Sequence, residues 1–272
     1  MDANSSTSPI SIAELGHRLG AEGAPIVVDV RRGPAFEQSG RAVAGALRGD
    51  PAALDDWAAH LPRHAEIAVY CVHGHEVSQG AAADLRERGL KARFVVGGFE
   101  AWEAALLPTR AARGLRRPGE RPGRWVTRER PKIDRIACPW AIRRFVDPEA
   151  EFFYVAAERV RTEAERLGAI PYDIPGVEFS HVGPRCSFDA VIDRFGLEDA
   201  ALDSVAAIVR GADTGHPELA PEASGLLAIS LGLSALFADD HAMLSEGLRV
   251  YDALYAWAAR ARSETHGWPP KA

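Results

Sequence analysis

Sulfur is scarce in this chain, and its distribution excludes a disulfide-stabilised fold. The 272 residues include three cysteines, an odd number at wide spacing, which provides no disulfide framework and fits a reducing compartment. The polar segment 1–11 lacks the basic and then apolar pattern of a signal peptide. These two absences lead us to expect a cytoplasmic protein.

Long apolar runs and an excess of positive charge are also missing. The longest nearly apolar stretch, 225–238, is too short and too rich in small residues to cross a bilayer, so we expect a buried helix there. A formal net charge of −6 argues against bulk nucleic-acid binding, and no helix-turn-helix pattern is evident in 125–272. We therefore expect neither a membrane nor DNA as a partner.

Residues 8–107 alternate short apolar segments with helical ones. Strands are predicted at 25–30, 66–71 and 92–96, and helices at 51–61, 79–88 and 99–106. A further short helix is predicted after Ser11, which is a candidate N-cap because Glu14 follows three residues later. This alternation predicts an α/β domain with a parallel sheet covered on both faces.

Cys71 lies where the predicted strand 66–71 meets a glycine-containing loop. A thiol at this place faces the N–H groups of the loop and the positive end of the next helix. Both favour the thiolate, which is the reactive form of cysteine. The sequence therefore predicts that Cys71 is a nucleophile.

Three motifs around this cysteine resemble the rhodanese family. They are Val27-Val28-Asp29-Val30-Arg31, Val69-Tyr70-Cys71-Val72-His73-Gly74-His75 with Gly80-Ala81-Ala82, and Val96-Gly97-Gly98-Phe99-Glu100-Ala101-Trp102. The resemblance implies that Cys71 accepts a sulfane sulfur from a small donor such as thiosulfate. The resulting persulfide would pass its sulfur to a thiol acceptor, and no cofactor is required.

The substrate cradle is expected from the loop and from a neighbouring strand end. Its members would be Val72, His73, Gly74, His75, Glu76, Val77, Asp29 and Arg31. His73 and His75 also suit a metal site, although the rhodanese context favours a backbone cradle with outward side chains. Asp29 is equally well explained as a structural hydrogen-bonding group.

The loop departs from typical sulfurtransferases in its length. Counted to Gly80-Ala81-Ala82, it is one residue longer, which resembles the related phosphatases and arsenate reductases. The arginine that phosphatases carry late in the loop is missing, and Glu76 and Val77 stand there instead. Because a carboxylate repels an oxyanion, sulfur transfer stays the favoured chemistry.

Residues 108–124 interrupt the pattern with prolines, glycines and arginines. We predict a basic linker between two domains. Its charge suits either a contact strip for an acidic partner or nucleic acid, or a solvated connector.

Residues 125–263 are predicted to form a second, mostly helical domain. Helices are expected at 133–145, 156–167, 188–195, 200–210, 225–237 and 241–260, and strands at 152–155 and 177–180. The string 128–145, with Glu178-Phe179-Ser180-His181, Cys186-Ser187-Phe188 and Ala212-Asp213, resembles the C-terminal domain of the chromate-resistance proteins that accompany chromate exporters. The resemblance implies a role in chromate sensing or resistance, often described as regulatory.

Four cations of this domain form a candidate oxyanion site. They are Lys132, Arg135, Arg143 and Arg144, and clustered guanidinium groups bind tetrahedral dianions such as chromate well. Pairing with the surplus of acidic residues explains the same arginines. Nearby, Pro139 predicts that Cys138 precedes a helix start or a kink, where its thiol is either redox-active or inert core.

A mixed metal site is the second candidate in this domain. Glu178, His181, Cys186 and Asp213 would supply carboxylate, imidazole and thiol groups that suit a divalent ion of Zn, Fe or Mn. A polar loop with a capping histidine is the alternative.

The favoured function is that of a cysteine-persulfide sulfurtransferase linked to chromate resistance, with chromate as a further ligand. One alternative is a non-enzymatic sensor or regulator of chromate or metal. Another is a thiol-dependent oxyanion reductase that uses Cys71 with Cys138 or Cys186. An oligomer is compatible with every one of these functions.

Overall fold

A computed structural model describes residues 8–21 and 23–264 of the chain. These residues divide into two compact units. Unit 1 contains the described residues up to 122 together with 142–149 and 195–197. Unit 2 contains 123–141, 150–194 and the residues from 198 onward.

Unit 1 is built on a parallel sheet, as the sequence predicts. Its strands are β1 (Ile26–Asp29), β2 (Arg41–Val43), β3 (Leu47–Arg48), β4 (Glu66–Tyr70), β5 (Lys91–Phe94) and β6 (Thr109–Ala111). The main sheet has the order β3-β1-β4-β5 with every pair parallel, while β2 and β6 form a separate antiparallel pair. The central strands are buried almost throughout, because helices cover both faces of a parallel sheet.

Five helices belong to unit 1: α1 (Ile12–Arg18), α2 (Gly33–Ser39), α3 (Leu54–Ala58), α4 (Glu76–Glu87) and α5 (Gly98–Ala104). The predicted cap of α1 is confirmed, since the Ser11 hydroxyl accepts the Glu14 N–H at 3.1 Å. Helix α4 begins at Glu76, earlier than the predicted 79. The Gly80-Ala81-Ala82 string therefore lies inside α4, and a count to it does not measure the length of the loop.

The segment 108–124 differs from a solvated linker in the structure. Its first part forms β6, which pairs with β2, and Arg110 is buried at 1% exposure. The Arg110 guanidinium donates to the Val146 carbonyl, and Arg116 pairs with Asp147 at 2.8 Å. The segment therefore contributes buried ion pairs and hydrogen bonds to unit 1.

Unit 2 contains a small parallel sheet and most of the helices. Its strands are β7 (Arg124–Arg128), β8 (Glu151–Val155) and β9 (Ile170–Pro171), in the order β8-β7-β9. The helices of the second half are α6 (Asp134–Phe145), α7 (Val160–Leu167), α8 (Ser187–Phe195), α9 (Ala200–Asp213), α10 (Ala223–Leu236) and α11 (Asp240–Ala256). The strand predicted at 177–180 is reduced to a bridge between Phe179 and Tyr172. An α/β domain followed by a mostly helical region is thus confirmed.

Helix α6 continues across Pro139, so Cys138 lies inside a helix and not before one. A proline lacks the N–H that would bond to the carbonyl four residues earlier, here that of Arg135. The buried hydroxyl of Tyr172 donates to this carbonyl at 3.3 Å instead. A side chain from another element therefore satisfies the group that Pro139 leaves open.

Helix α10 is less buried than its composition predicts. Ala223, Leu226 and Ser230 are buried, whereas Ile229 and Leu236 are among several exposed apolar residues. The helix is apolar on every side, but only one side packs in the unit. Within residues 8–21 and 23–264, no helix combines the length and apolarity needed to cross a membrane.

Candidate functional sites

Cys71 lies directly after β4, at the carboxyl end of the central strands of unit 1. Open α/β sheets place their sites at this edge. The residue is 6% exposed and belongs to the apolar core under the sheet. Its carbonyl accepts the Phe99 N–H at 2.9 Å, and the next carbonyl, of Val72, accepts the Glu100 N–H at 3.0 Å. The first turn of α5 thus holds the start of the loop.

The thiol of Cys71 is surrounded by hydrogen-bond donors. Its Sγ lies 3.2 Å from the Ser78 hydroxyl, and the backbone N–H groups of Ser78, His75 and Gly74 also point to it. Burial raises the pKa of the Cys71 thiol, but these hydrogen bonds outweigh burial and lower the pKa overall. The site therefore favours a thiolate, which is the form that attacks sulfur.

Two glycines allow the loop to close over this thiolate. Gly74 and Gly98 both have positive φ, at 73° and 60°. A Cβ on Gly98 would lie 2.5 Å from the Cys71 carbonyl oxygen and 2.5 Å from the Gly74 nitrogen. Because these neighbours are backbone atoms that cannot move aside, only glycine fits, which explains the glycines in both motifs.

A second cluster of reactive side chains lies in unit 2. The His181 Nε2 is 3.2 Å from Asp134 Oδ2, 3.4 Å from Asp173 Oδ1 and 3.2 Å from Asp213 Oδ2. Asp134, Asp213 and the Cys186 thiol also have ligand atoms within 4.8 Å of one another. His181 is 40% exposed, whereas the other four side chains are largely buried.

Burial and crowding change the acidity of these groups. The hydrogen bond to Asp134 is the main cause that raises the pKa of His181 to about 9. Burial, followed by the charge of Asp134, raises the pKa of Asp213 to about 7, and burial also raises the pKa of Asp173. Burial raises the pKa of the Cys186 and Cys138 thiols as well. Proximity therefore shifts the histidine and its neighbours toward their protonated forms.

Both halves of the chain match known families. Residues 11–105 match the family described as Rhodanese-like domain, and residues 125–258 match ChrB, C-terminal domain. Thiosulfate sulfurtransferase GlpE of Coxiella burnetii is 34% identical over 80 residues, which cover 29% of this chain and 72% of that protein. The chain belongs to the rhodanese family. Its second half is a ChrB C-terminal domain.

Two further relatives match parts of the chain. Protein ChrB of Cupriavidus metallidurans is 39% identical over 142 residues, which span 52% of this chain and 42% of that relative. The chain thus spans less than half the length of ChrB. A solved rhodanese-related protein from Thermoplasma volcanium is 28% identical, with 38% of this chain and 96% of that chain covered and a TM-score of 0.33.

The side chains of the rhodanese loop point mostly outward. His73 is exposed and pairs with Glu100, its Nδ1 lying 2.8 Å from the carboxylate. His75 and Glu76 are exposed as well, and Glu76 is the first residue of α4. Val72 and Val77 are half-buried. The loop thus has the form of the predicted backbone cradle, and Glu76 and Val77 lie beyond the loop in the helix.

Asp29 and Arg31 form a closed internal pair, which corrects the expectation that they line the substrate pocket. Their exposures are 0% and 1%, and Arg31 Nη2 lies 2.6 Å from Asp29 Oδ2. The Tyr70 hydroxyl donates to the same carboxylate at 2.7 Å, and the Phe99 ring stacks on the guanidinium. With the carboxylate and most of the guanidinium bonded internally, the pair stabilises the sheet edge and has almost no exposed surface for a substrate.

The four predicted oxyanion ligands are divided between the two units. Arg135 is bound within unit 2, its Nε 3.1 Å from Asp173 Oδ2. Lys132 is half-buried just before α6, whereas Arg143 and Arg144 belong to the part of α6 that packs in unit 1. Pairing with an acidic residue, the alternative explanation for these arginines, is what the structure shows for Arg135.

The predicted metal ligands are brought together in part. His181 and Cys186 each lie close to Asp213, but Glu178 is half-exposed and pairs with Arg194. Asp134 and Asp173 also belong to this cluster, although neither is predicted as a ligand from the sequence. Ser78, which lies beside Cys71, is likewise absent from the predicted site residues. The sequence signal that could have indicated Asp134 as a ligand is its position one helical turn before Cys138.

Proposed function

We propose that the rhodanese-like domain is a sulfurtransferase in which Cys71 carries the sulfur as a persulfide. The observation that carries the proposal is the set of hydrogen-bonding groups around Sγ: the Ser78 hydroxyl at 3.2 Å and the backbone N–H groups of Gly74, His75 and Ser78. The similarity to a thiosulfate sulfurtransferase supports thiosulfate as the donor.

The reaction proceeds by two displacements at sulfur. The Cys71 thiolate attacks the sulfane sulfur of thiosulfate, the S–S bond breaks, and sulfite leaves with the electron pair. A thiolate of the acceptor then attacks the outer sulfur of the persulfide, and the Cys71 thiolate leaves. The same loop donors stabilise the anion in each step, so one cradle serves both half-reactions.

The second domain supports a link to chromate resistance. It matches the ChrB C-terminal domain and resembles the chromate-resistance proteins. Cys138 and Cys186 are 0% and 1% exposed, and their thiols have raised pKa values. Buried, protonated thiols are poor nucleophiles, which disfavours a reductase that uses them and favours sulfur transfer at Cys71.

Turnover of thiosulfate with cyanide or dithiothreitol as acceptor tests the proposal. We expect activity in the wild type and at least a ~1,000-fold loss in Cys71→Ser, because the persulfide can no longer form. Cys186→Ser is the matched control and should retain the activity. Equal activity of Cys71→Ser and wild type would contradict the proposal.

Chromate resistance is tested separately in cells. We expect the Cys71→Ser variant to give lower growth on chromate than the wild type when each is expressed together with a chromate exporter. Growth that is unchanged by this substitution would separate sulfur transfer from resistance.

A further inference from the structure

Five side chains of the ChrB C-terminal domain converge from separate parts of the sequence. Asp134 begins α6, Asp173 follows β9, and Asp213 ends α9. His181 and Cys186 come from the loop before α8. Together they offer carboxylate, imidazole and thiol groups at one place, which is more than a cluster of acidic residues.

The spacing of the donor atoms is that of a coordination shell. The His181 Nε2 has three carboxylate oxygens at 3.2 to 3.4 Å, from Asp134, Asp173 and Asp213. An ion bound at about 2.1 Å to tetrahedral ligands holds those ligands about 3.4 Å apart. The three carboxylate oxygens therefore lie at the distance from His181 Nε2 that ligands of one ion would have.

Three carboxylate groups face the single Nε2 atom of His181. Asp173 has Arg128 and Arg135 as further partners, at 2.6 and 3.1 Å. Asp134 and Asp213 have no other ion pair in the part of the chain that the structure describes. Asp134 is nearly inaccessible to water, so an ion bound to it would be held in a largely buried site.

The two thiols limit which ions suit the site. The Cys186 thiol lies within 4.8 Å of carboxylate oxygens of Asp134 and Asp213. Cys138, one helical turn after Asp134, is 0% exposed, and its thiol makes no hydrogen bond among the described residues. Thiolate ligands select zinc and similar transition metals over magnesium and calcium, which prefer oxygen ligands alone. The exposed edge of His181 provides an entry path.

We propose that the ChrB C-terminal domain binds a divalent transition-metal ion, with Asp134 as the central ligand. Asp134 lies within 4.8 Å of the ligand atoms of Asp173 and His181 and also of those of Cys186 and Asp213. His181, Cys186, Asp213 and Asp173 complete the set. Glu178, in the same loop region, lies outside it because it pairs with Arg194. This site is independent of sulfur transfer at Cys71.

Titration of the full-length, metal-free protein with Zn²⁺ alone tests the site. We expect the wild type to retain Zn²⁺ after dialysis and to unfold at a higher temperature with Zn²⁺ present. Asp134→Asn and His181→Gln should each weaken Zn²⁺ binding by about 100-fold or more. Glu178→Gln is the matched control and should bind as the wild type does.

Substitution with Co²⁺ reports the thiolate directly. The wild type and Cys71→Ser should show thiolate-to-cobalt charge-transfer absorption, and Cys186→Ser should lose it. If Asp134→Asn proves unfolded by circular dichroism, His181→Gln decides, since this half-exposed residue tolerates replacement. Absence of retained Zn²⁺ in the wild type, or equal affinity in His181→Gln and Glu178→Gln, would overturn the proposal.

Discussion

At the scale of single residues, the chemistry of the rhodanese-like domain depends on small groups that lie close to Cys71. The Ser78 hydroxyl and three backbone N–H groups offset the burial that would otherwise keep the thiol protonated. Gly74 and Gly98 bring the backbone close enough to make these contacts. Neither effect involves a charged side chain.

Removal of the Ser78 hydroxyl should raise the pKa of Cys71 and move its pH profile upward. The lowered pKa means that the thiolate persists to lower pH in the wild type, and Ser78→Ala removes one of the hydrogen bonds responsible. We expect alkylation of Cys71 by iodoacetamide at neutral pH to slow by about tenfold, the effect of one hydrogen bond to an anion. Ser204→Ala, in α9, is the control, and an unshifted profile in Ser78→Ala would contradict this account.

Substitution of Gly98 should disrupt the loop. In Gly98→Ala, the new Cβ meets backbone atoms at 2.5 Å and the positive φ is strained. We expect a loss of stability of about 2 kcal/mol or more and loss of sulfur transfer. Gly80→Ala is the matched control, because its Cβ meets nothing within 4 Å, and it should stabilise α4 by about 0.5–1 kcal/mol. Denaturant unfolding of both variants measures the difference, and similar values would refute the steric argument.

At the scale of elements, α6 shows how a tertiary contact allows a helix to contain a proline in its interior. Pro139 stands in the middle of a helix that begins with Asp134 and contains Cys138. The Tyr172 hydroxyl, which follows β9, serves the Arg135 carbonyl that the proline leaves open. Helix α6 therefore runs without a break from Asp134, in the acidic cluster, past Pro139.

A double-mutant cycle measures this contact. Tyr172→Phe should destabilise the protein by about 1–2 kcal/mol, since a buried carbonyl loses its hydrogen bond. In Pro139→Ala, the new backbone N–H bonds to the Arg135 carbonyl, so Tyr172→Phe should then cost about 1 kcal/mol less. Thermal and denaturant unfolding give the coupling free energy. A coupling of zero would mean that Tyr172 acts through packing alone.

At the scale of the whole molecule, the compact units do not follow the order of the chain. The segment 142–149 belongs to unit 1, although the residues on both sides of it belong to unit 2. Arg110 donates to the Val146 carbonyl there, and burial lowers the pKa of Arg110 to about 10, with Asp147 opposing the shift. Unit 1 therefore needs residues that lie beyond its family match at 11–105.

Loss of Asp147 should weaken the rhodanese-like domain. Asp147 and Glu149 both pair with Arg116, but Asp147 is 7% exposed and Glu149 69%. We expect Asp147→Ala to cost about 1–2 kcal/mol, because the partly buried Arg116 loses the more buried of its two carboxylate partners, whereas Glu149→Ala should cost less than about 0.5 kcal/mol. The protection of Cys71 against alkylation in denaturant reports unit 1 itself. Equal protection in the two variants would show that 142–149 does not support the domain.

Short-range patterns were sufficient for the α/β character of unit 1, the N-cap at Ser11 and the position of Cys71 at the end of a strand. Each depends on residues within one turn or one strand of each other, where period and spacing carry the information. The start of α4 at Glu76 was missed because the Gly80-Ala81-Ala82 string resembles a helix start. The helix instead begins at Glu76, and the N–H group of Ser78 in its first turn reaches the Cys71 thiol.

Packing between segments that are distant in sequence determined the remaining features of the two sites. Asp29 and Arg31 are polar residues at a strand end, and only the fold closes them into a buried pair with Tyr70. Asp134 and Asp173 carry no motif of their own, and 38 residues of chain lie between them, so their meeting at His181 depends on α6 and β9 being packed together. A sequence determines which groups are present and their local conformation, whereas long-range burial determines which of them share an environment and therefore a function.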